Sequence, residues 1–294
     1  MFYEGRRFKT KTFLLVTSLL GAPAIAIAQN SPSTEAANAQ EMTARTPIDT
    51  QNKKIEAEEV AKKLANPVAN MVSVPFQYDY YHGLGANGQG TAQTLIVQPV
   101  IPIDLRNGDN IIMRPVTTTV WENKLNGFSG YGLNSIVLET YYTPKTGSSL
   151  IYGLGPVVAT PAGSSGRFGS QQTGAGITGV ALDRKGPWTY GALLYQTWSL
   201  GGNGASGTQN NFYWQPFLVY VTPTAWTFTI NSQSTYNYDA HKAVNPYNFT
   251  VGKLVVHGGL PVNYTLGVSY MGTTLPGGPS GFGGRAQVTF AFPE

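Results

Sequence analysis

Asp79, Arg114, Glu139, Lys253 and Arg285 are the few charged side chains set within long uncharged segments between Met71 and Phe292. Carboxylates and guanidinium groups facing a narrow passage can orient or filter a solute. The same groups can also pair with one another and merely fill space. Alternation places Asp79, Glu139 and Arg285 on the side shared with Thr, Asn and Gln, whereas the segments around Arg114 and Lys253 alternate too weakly to decide. A basic group facing lipid at mid-membrane costs roughly 2 to 4 kcal/mol, so Arg114 is expected inward and Lys253 at an interface. Asp79, Arg114, Glu139 and Arg285 are therefore the candidate lumen-lining residues.

Other chemistry has less to work with. There is no cysteine, which excludes disulfides, thiolate metal sites and cysteine nucleophiles. The three histidines, His82, His241 and His257, are expected at opposite ends of the molecule, so no three-histidine metal site is expected. A surface lipid hydrolase would need His82 or His241 as base beside a loop serine; a solvated loop histidine is the plainer reading. Gly83, Gly85 and Gly88 fit a dinucleotide-binding spacing, as do Gly174, Gly176 and Gly179, but neither set opens a helix on which a pyrophosphate could sit. No catalytic residue, cofactor or metal is expected.

The elements that must position the charged residues are strands. From Met71 onward the hydrophobic period is two. After Ala225, Trp226, Phe228, Ile230, Tyr236 and Tyr238 alternate with Thr227, Thr229, Asn231, Gln233, Thr235 and Asn237. Such segments predict twelve strands, approximately 71–82, 92–103, 109–120, 131–143, 149–160, 173–183, 187–199, 210–222, 225–238, 246–256, 261–272 and 282–292. Connections 104–108, 144–148, 184–186, 223–224 and 257–260 are tight, and those at 83–91, 121–130, 161–172, 200–209, 239–245 and 273–281 are expected to be longer loops. An even number of strands with short turns at one end and longer loops at the other predicts an all-β fold, a single transmembrane antiparallel up-and-down barrel.

A soluble sandwich alternates as well, but its wet face usually carries many Lys and Glu, and here charged residues make up only 12% of the chain. Hydrocarbon offers backbone groups no partner, so a spanning sheet must close on itself. Trp188 and Trp226 fall near the turn end, and Trp198, Phe212, Tyr236 and Tyr238 near the loop end, all with outward parity; these are the two interfaces where aromatic rings collect. The last segment sends Ala286, Val288, Phe290 and Phe292 outward, like the closing strand that barrel-assembly machinery recognises, although Pro293 and Glu294 follow the final aromatic.

Ahead of the strands, Arg6, Arg7, Lys9 and Lys11 precede an apolar run from Phe13 to Ala22, and Ala26-Ile27-Ala28 forms an A-x-A site. Residues 1–28 read as a signal peptide. Its removal leaves 15 basic against 14 acidic residues, so no basic surface for nucleic acid is expected. Residues 29–66 are expected to form a flexible linker and then a short amphipathic helix over 53–64. Ala57, Val60, Ala61 and Leu64 share one helical face, while Glu58–Lys62 and Glu59–Lys63 make i, i+4 pairs. The helix is read as a cap or tether at the turn end, or alternatively a pore plug or partner-binding element. Residues 67–294 are read as the barrel.

The runs Leu64-Ala65-Asn66-Pro67, Ser73-Val74-Pro75-Phe76-Gln77, Val97-Gln98-Pro99-Val100-Ile101-Pro102, Pro187-Trp188-Thr189-Tyr190-Gly191-Ala192, Gln215-Pro216-Phe217 and Thr222-Pro223-Thr224-Ala225-Trp226-Thr227 span the chain from helix to late strands. On these residues it resembles a family of proteobacterial outer-membrane barrel proteins called transporters, sometimes misnamed neuromedin U precursor and akin to barrels named after phenol-degradation pathways. The resemblance implies an outer-membrane location and uptake of aromatic or hydrophobic solutes. It supplies no site residues. Three readings result: a passive channel or binding barrel for small solutes, a surface interaction or structural barrel with a closed lumen, and a barrel lipid hydrolase. The expected partners are outer-membrane lipid, a small-molecule solute and the assembly machinery, with oligomeric state left open.

Overall fold

The computed structural model describes residues 47–161, 167–203 and 208–293. The expected signal peptide and most of the expected linker lie outside the described residues. The chain begins with a helix, α1 (Pro47–Leu64). It is longer than the sequence pattern indicates, because residues 47–52, expected as linker, already belong to it. Proline at its start costs nothing, since the first amides of a helix have no partner within it. Lys62 bonds both Glu58 (2.8 Å) and Glu59 (3.0 Å), which replaces the expected Glu59–Lys63 pair. Asn66 closes the turn after the helix by accepting the Val68 amide at 2.9 Å.

Twelve strands follow: β1 (Val72–Leu84), β2 (Gly90–Val97, resuming at Ile101–Asp104), β3 (Asn110–Leu125), β4 (Phe128–Thr143), β5 (Ile151–Thr160), β6 (Gln171–Lys185), β7 (Trp188–Asn203), β8 (Asn211–Val221), β9 (Trp226–Ser232, resuming at Ser234–Asn237), β10 (Lys242–His257), β11 (Leu260–Thr273) and β12 (Gly281–Phe292). Each pairs antiparallel with its chain neighbours, and β1 pairs with β12 from Val72↔Phe292 to Tyr80↔Gly284, so the sheet closes into a barrel with no free edge. Two strands are interrupted. β2 breaks at Pro99, which has no amide to give the ladder. β9 breaks at Gln233, between Pro216 of β8 and Pro246 of β10.

Most of the expected outer loops are shorter than the sequence pattern suggests. Residues 121–130 are almost wholly strand, joined by a two-residue turn in which Asn126 (φ 52°) and Gly127 (φ 83°) are both left-handed, the backbone that suits the twist of a hairpin. Near Asn203 and Lys242 the strands also run past the expected limits. The strands therefore project beyond the apolar belt at this end.

Side chains sort cleanly by parity. Leu154, Ile177, Ile230, Tyr247, Leu266 and Phe282 are among the large apolar groups exposed on the outer wall, and Trp188, Trp198, Trp226 and Tyr238 are exposed with them near its two rims. Such an exterior is stable only against hydrocarbon. Lys253 sits at the turn-end rim, its ammonium on the Thr224 carbonyl and 5.3 Å from the Trp226 ring centre.

The interior differs from expectation in one respect. The inward face is not polar throughout: Ile112, Leu182, Leu193, Val221 and Leu254 form an apolar core inside the turn-end half. Ala61 of α1 is buried in that cluster, with Ala57, Val60 and Leu64 packed against it. Beside it Leu64 and Val60 meet Ala69, Met71 and the fully buried Ala291. The apolar face of the helix is thus buried inside the barrel wall, and α1 wedges into the turn-end mouth.

Candidate functional site

All four candidate residues point into the barrel and all are buried. They form two cross-strand ion pairs. On β3 and β4, Arg114 and Glu139 are direct partners in register and their side chains meet at 2.8 Å. On β1 and β12, Asp79 and Arg285 are also direct partners, joined by two bonds of 2.6 and 3.0 Å. Opposed residues of an antiparallel pair share a face, which is why alternating strands can deliver both pairs to the lumen. The two-point geometry at Arg285 is the planar match of guanidinium to carboxylate.

Neutral side chains join the two pairs. Tyr141 donates to Glu139 at 2.5 Å and receives a bond from Thr178 at 2.9 Å. Arg114 also donates to Gln98 (2.9 Å), Gln98 donates to Gln77 (3.5 Å), and Gln77 donates to Asp79 (2.7 Å). From the far side, Gln233 accepts from Arg285 at 2.7 Å and from Gln77 at 3.4 Å. One connected belt therefore runs around part of the wall and crosses the lumen. Each guanidinium already has a carboxylate, so the belt carries no net charge. On β7 and β8, the directly opposed Tyr195 and Tyr213 stack at 4.8 Å with planes 13° apart, and Tyr213 donates to Gln215 at 2.8 Å.

Between the belt and the helix wedge lies a cavity of about 170 Å³. Ala61, Leu64 and Pro67 bound it on the helix side, Arg114 and Arg285 on the belt side.

Sequence reasoning located the charged residues but not Tyr141, Gln77, Gln98 or Gln233. Gln77 shares the parity of Asp79, two residues away, and that signal was available. Gln233 was set on the inward face by the same alternation, but nothing local indicates that its partner Arg285 is reached across the barrel. Among the described residues, no group of three His, Asp or Glu side chains is arranged to hold a metal. His82 and His241 are exposed near the loop end, neither imidazole bonded to a serine hydroxyl among the described residues, and His257 at the turn end faces the Tyr264 hydroxyl at 3.2 Å. Gly176 lies within β6, where a Cβ would come within 1.8 Å of the Gln196 carbonyl; close strand packing accounts for the glycine.

A closed barrel with an apolar belt, aromatic rims and a buried polar lumen defines the class: a β-barrel of the outer-membrane type. No family model matches the sequence, and no curated protein matches it. Among solved structures it is similar to an outer membrane channel from Pseudomonas putida F1, at 12% identity over 77% of this chain and 97% of that one, with a TM-score of 0.56. It also matches the KdgM porin (10% identity, 76% and 100% covered, TM-score 0.46) and the outer membrane phospholipase A of Escherichia coli (9%, 81% and 98%, TM-score 0.41). At these identities the likeness to the Pseudomonas protein shows a shared fold.

Proposed function

We propose that the chain is an exported barrel, freed of its leader after Ala28, that sits in a Gram-negative outer membrane and passes or binds small solutes passively. The observation that carries this reading is the interior. A barrel that needed only to fill itself could do so with the apolar core found at the turn end. Instead a continuous hydrogen-bonded belt and an adjoining cavity are kept inside, where unpaired polar groups are costly. Asp79, Arg114, Glu139 and Arg285 act there as the constriction, and the α1 wedge restricts the turn-end mouth. The Pseudomonas protein of similar fold is itself named a channel.

Aromatic or hydrophobic solutes are the finer proposal. It comes from the family resemblance and is supported by the stacked Tyr195–Tyr213 pair, which gives a ring a surface inside the wall. No catalytic step is assigned to any residue. Purified mature protein in planar bilayers should give small, discrete conductance steps, altered in size or selectivity by Arg285→Ala or Glu139→Ala. A barrel that neither conducts nor binds solute would overturn the proposal.

A second reading is favoured by one observation, the burial of α1 in the turn-end core. In it the lumen stays closed and the barrel serves as a structural or surface-interaction element. A crosslinked partner that disappears when residues 47–64 are deleted, in a protein without conductance, would support it.

A further inference from the structure

The cavity between wedge and belt has two unlike walls. One is apolar, made chiefly by Phe217 and Val219 of β8. The other is made of small neutral polar groups on three consecutive strands: Thr227, Thr229 and Asn231 of β9, Thr250 of β10, and Asn263 and Thr265 of β11. Much of its hydrogen-bonding capacity is unused. The hydroxyls of Thr227, Thr229 and Thr250 have no protein partner among the described residues. Asn231 spends its carbonyl on Asn248 and keeps its amide hydrogens, and the Asn263 carbonyl oxygen is buried with no partner. Gly252 leaves the room between them, since a Cβ there would lie 2.8 Å from the Thr265 hydroxyl.

These walls select by chemistry. An ion would find no free opposite charge, because Arg114 and Arg285 are already paired. A wholly apolar molecule would cover the hydroxyls and amides without bonding them, which is unfavourable. A small uncharged ring that carries hydroxyls at its edge and C–H groups on its faces satisfies both sides at once: the edge exchanges hydrogen bonds with the Thr and Asn groups, and one face rests on Phe217. At about 170 Å³ the cavity is smaller than drug-sized sites of roughly 300 to 1,000 Å³ and admits one such ring.

We propose that this cavity is a binding subsite for a small uncharged cyclic polyol, a single sugar ring or a cyclitol. The proposal rests on the channel reading for the subsite's place on a solute path, and departs from that reading's aromatic solute class.

The test uses the full mature chain in detergent micelles and in bilayers. Saturation-transfer NMR with glucose and myo-inositol should show binding. The double variant Thr229→Val, Thr250→Val keeps side-chain shape and should weaken that binding by roughly tenfold, the equivalent of two neutral hydrogen bonds. Thr229→Ser with Thr250→Ser keeps both hydroxyls and should restore it. Heat-modifiable migration of each variant verifies the fold. No polyol binding by the wild type, phenol binding more tightly than either polyol, or a valine variant that binds as the wild type does would each overturn the proposal. Polyol binding by a barrel that carries no current would instead sink the channel reading and leave the subsite standing.

Discussion

Arg285 of β12 reaches Gln233 of β9 at 2.7 Å, although β10 and β11 separate the two strands along the wall. The bond crosses the interior and joins the Asp79–Arg285 pair to the one residue at which β9 leaves the ladder. The break in the strand is thereby tied to the belt, and Gln233, free of one register, is able to serve both sides.

Arg285→Ala leaves the Asp79 carboxylate buried without its cation. Breaking one side of such a pair costs about 3 to 5 kcal/mol, whereas replacing both partners by apolar groups of similar volume is often neutral. Arg285→Ala should therefore lower the urea midpoint for unfolding from lipid vesicles sharply, and Asp79→Leu with Arg285→Met should recover most of the loss. Equal midpoints for the single and double variants would contradict the pairing.

Leu266 is among the most exposed side chains and faces the lipid belt, while its neighbour Thr265 faces the cavity. Leu266→Arg should destabilise the folded barrel in vesicles by roughly 2 to 4 kcal/mol, the cost of a cation at mid-membrane. Gln287→Arg, on the inward face, should cost clearly less. Reversed costs would invert the assigned parity.

Removal of residues 47–64 takes the helix out of the turn-end mouth and uncovers the apolar core that holds Ala61. Single-channel conductance should rise several-fold, and the exposed core should bind a hydrophobic dye. Ala61→Glu, which puts a charge into the same contact, should move both readings the same way by a smaller amount. Unchanged conductance in both variants would show that the helix does not limit the path.

Acid should loosen the turn between β3 and its preceding strand. Asp109 there accepts hydrogen bonds from the Tyr142 hydroxyl, the Lys145 amide (2.8 Å) and Asn107 (2.5 Å), and these hold its carboxyl below the usual Asp range. A depressed folded pKa means stability that is present above the unfolded value and is lost as pH falls through the folded one. Hydrogen exchange at the Lys145 amide should accelerate, relative to unbonded amides, below about pH 4, the ordinary Asp range, and Asp109→Asn should abolish that pH dependence.

Much of this was legible residue by residue. The alternation through Trp226, Phe228 and Ile230 states which face meets lipid, and a sparsely charged inner face with long strands excludes a water-facing sheet. The inward direction of Asp79, Glu139 and Arg285 follows from the same parity, and that of Arg114 from the cost of a lipid-facing cation. The outer loops were overestimated because Asn126-Gly127 was read as the middle of a loop. In the fold it is the whole turn, and polar residues on either side continue the strand beyond the membrane.

Parity in this chain depends only on neighbours two residues apart, so the sequence by itself determined the barrel, a count of about twelve strands and the inward direction of Asp79, Glu139 and Arg285. Which groups meet inside was decided by closure. The pairing of β1 with β12 sets Asp79 against Arg285, some two hundred residues away. The width of the lumen lets Gln233 span it, and the apolar patch formed by Leu182, Leu193, Val221 and Leu254 exists only once their strands stand side by side. A local pattern holds no information about distances across a closed sheet, and it is those distances that turn four scattered charges into a neutral belt and seat a helix in the turn-end mouth.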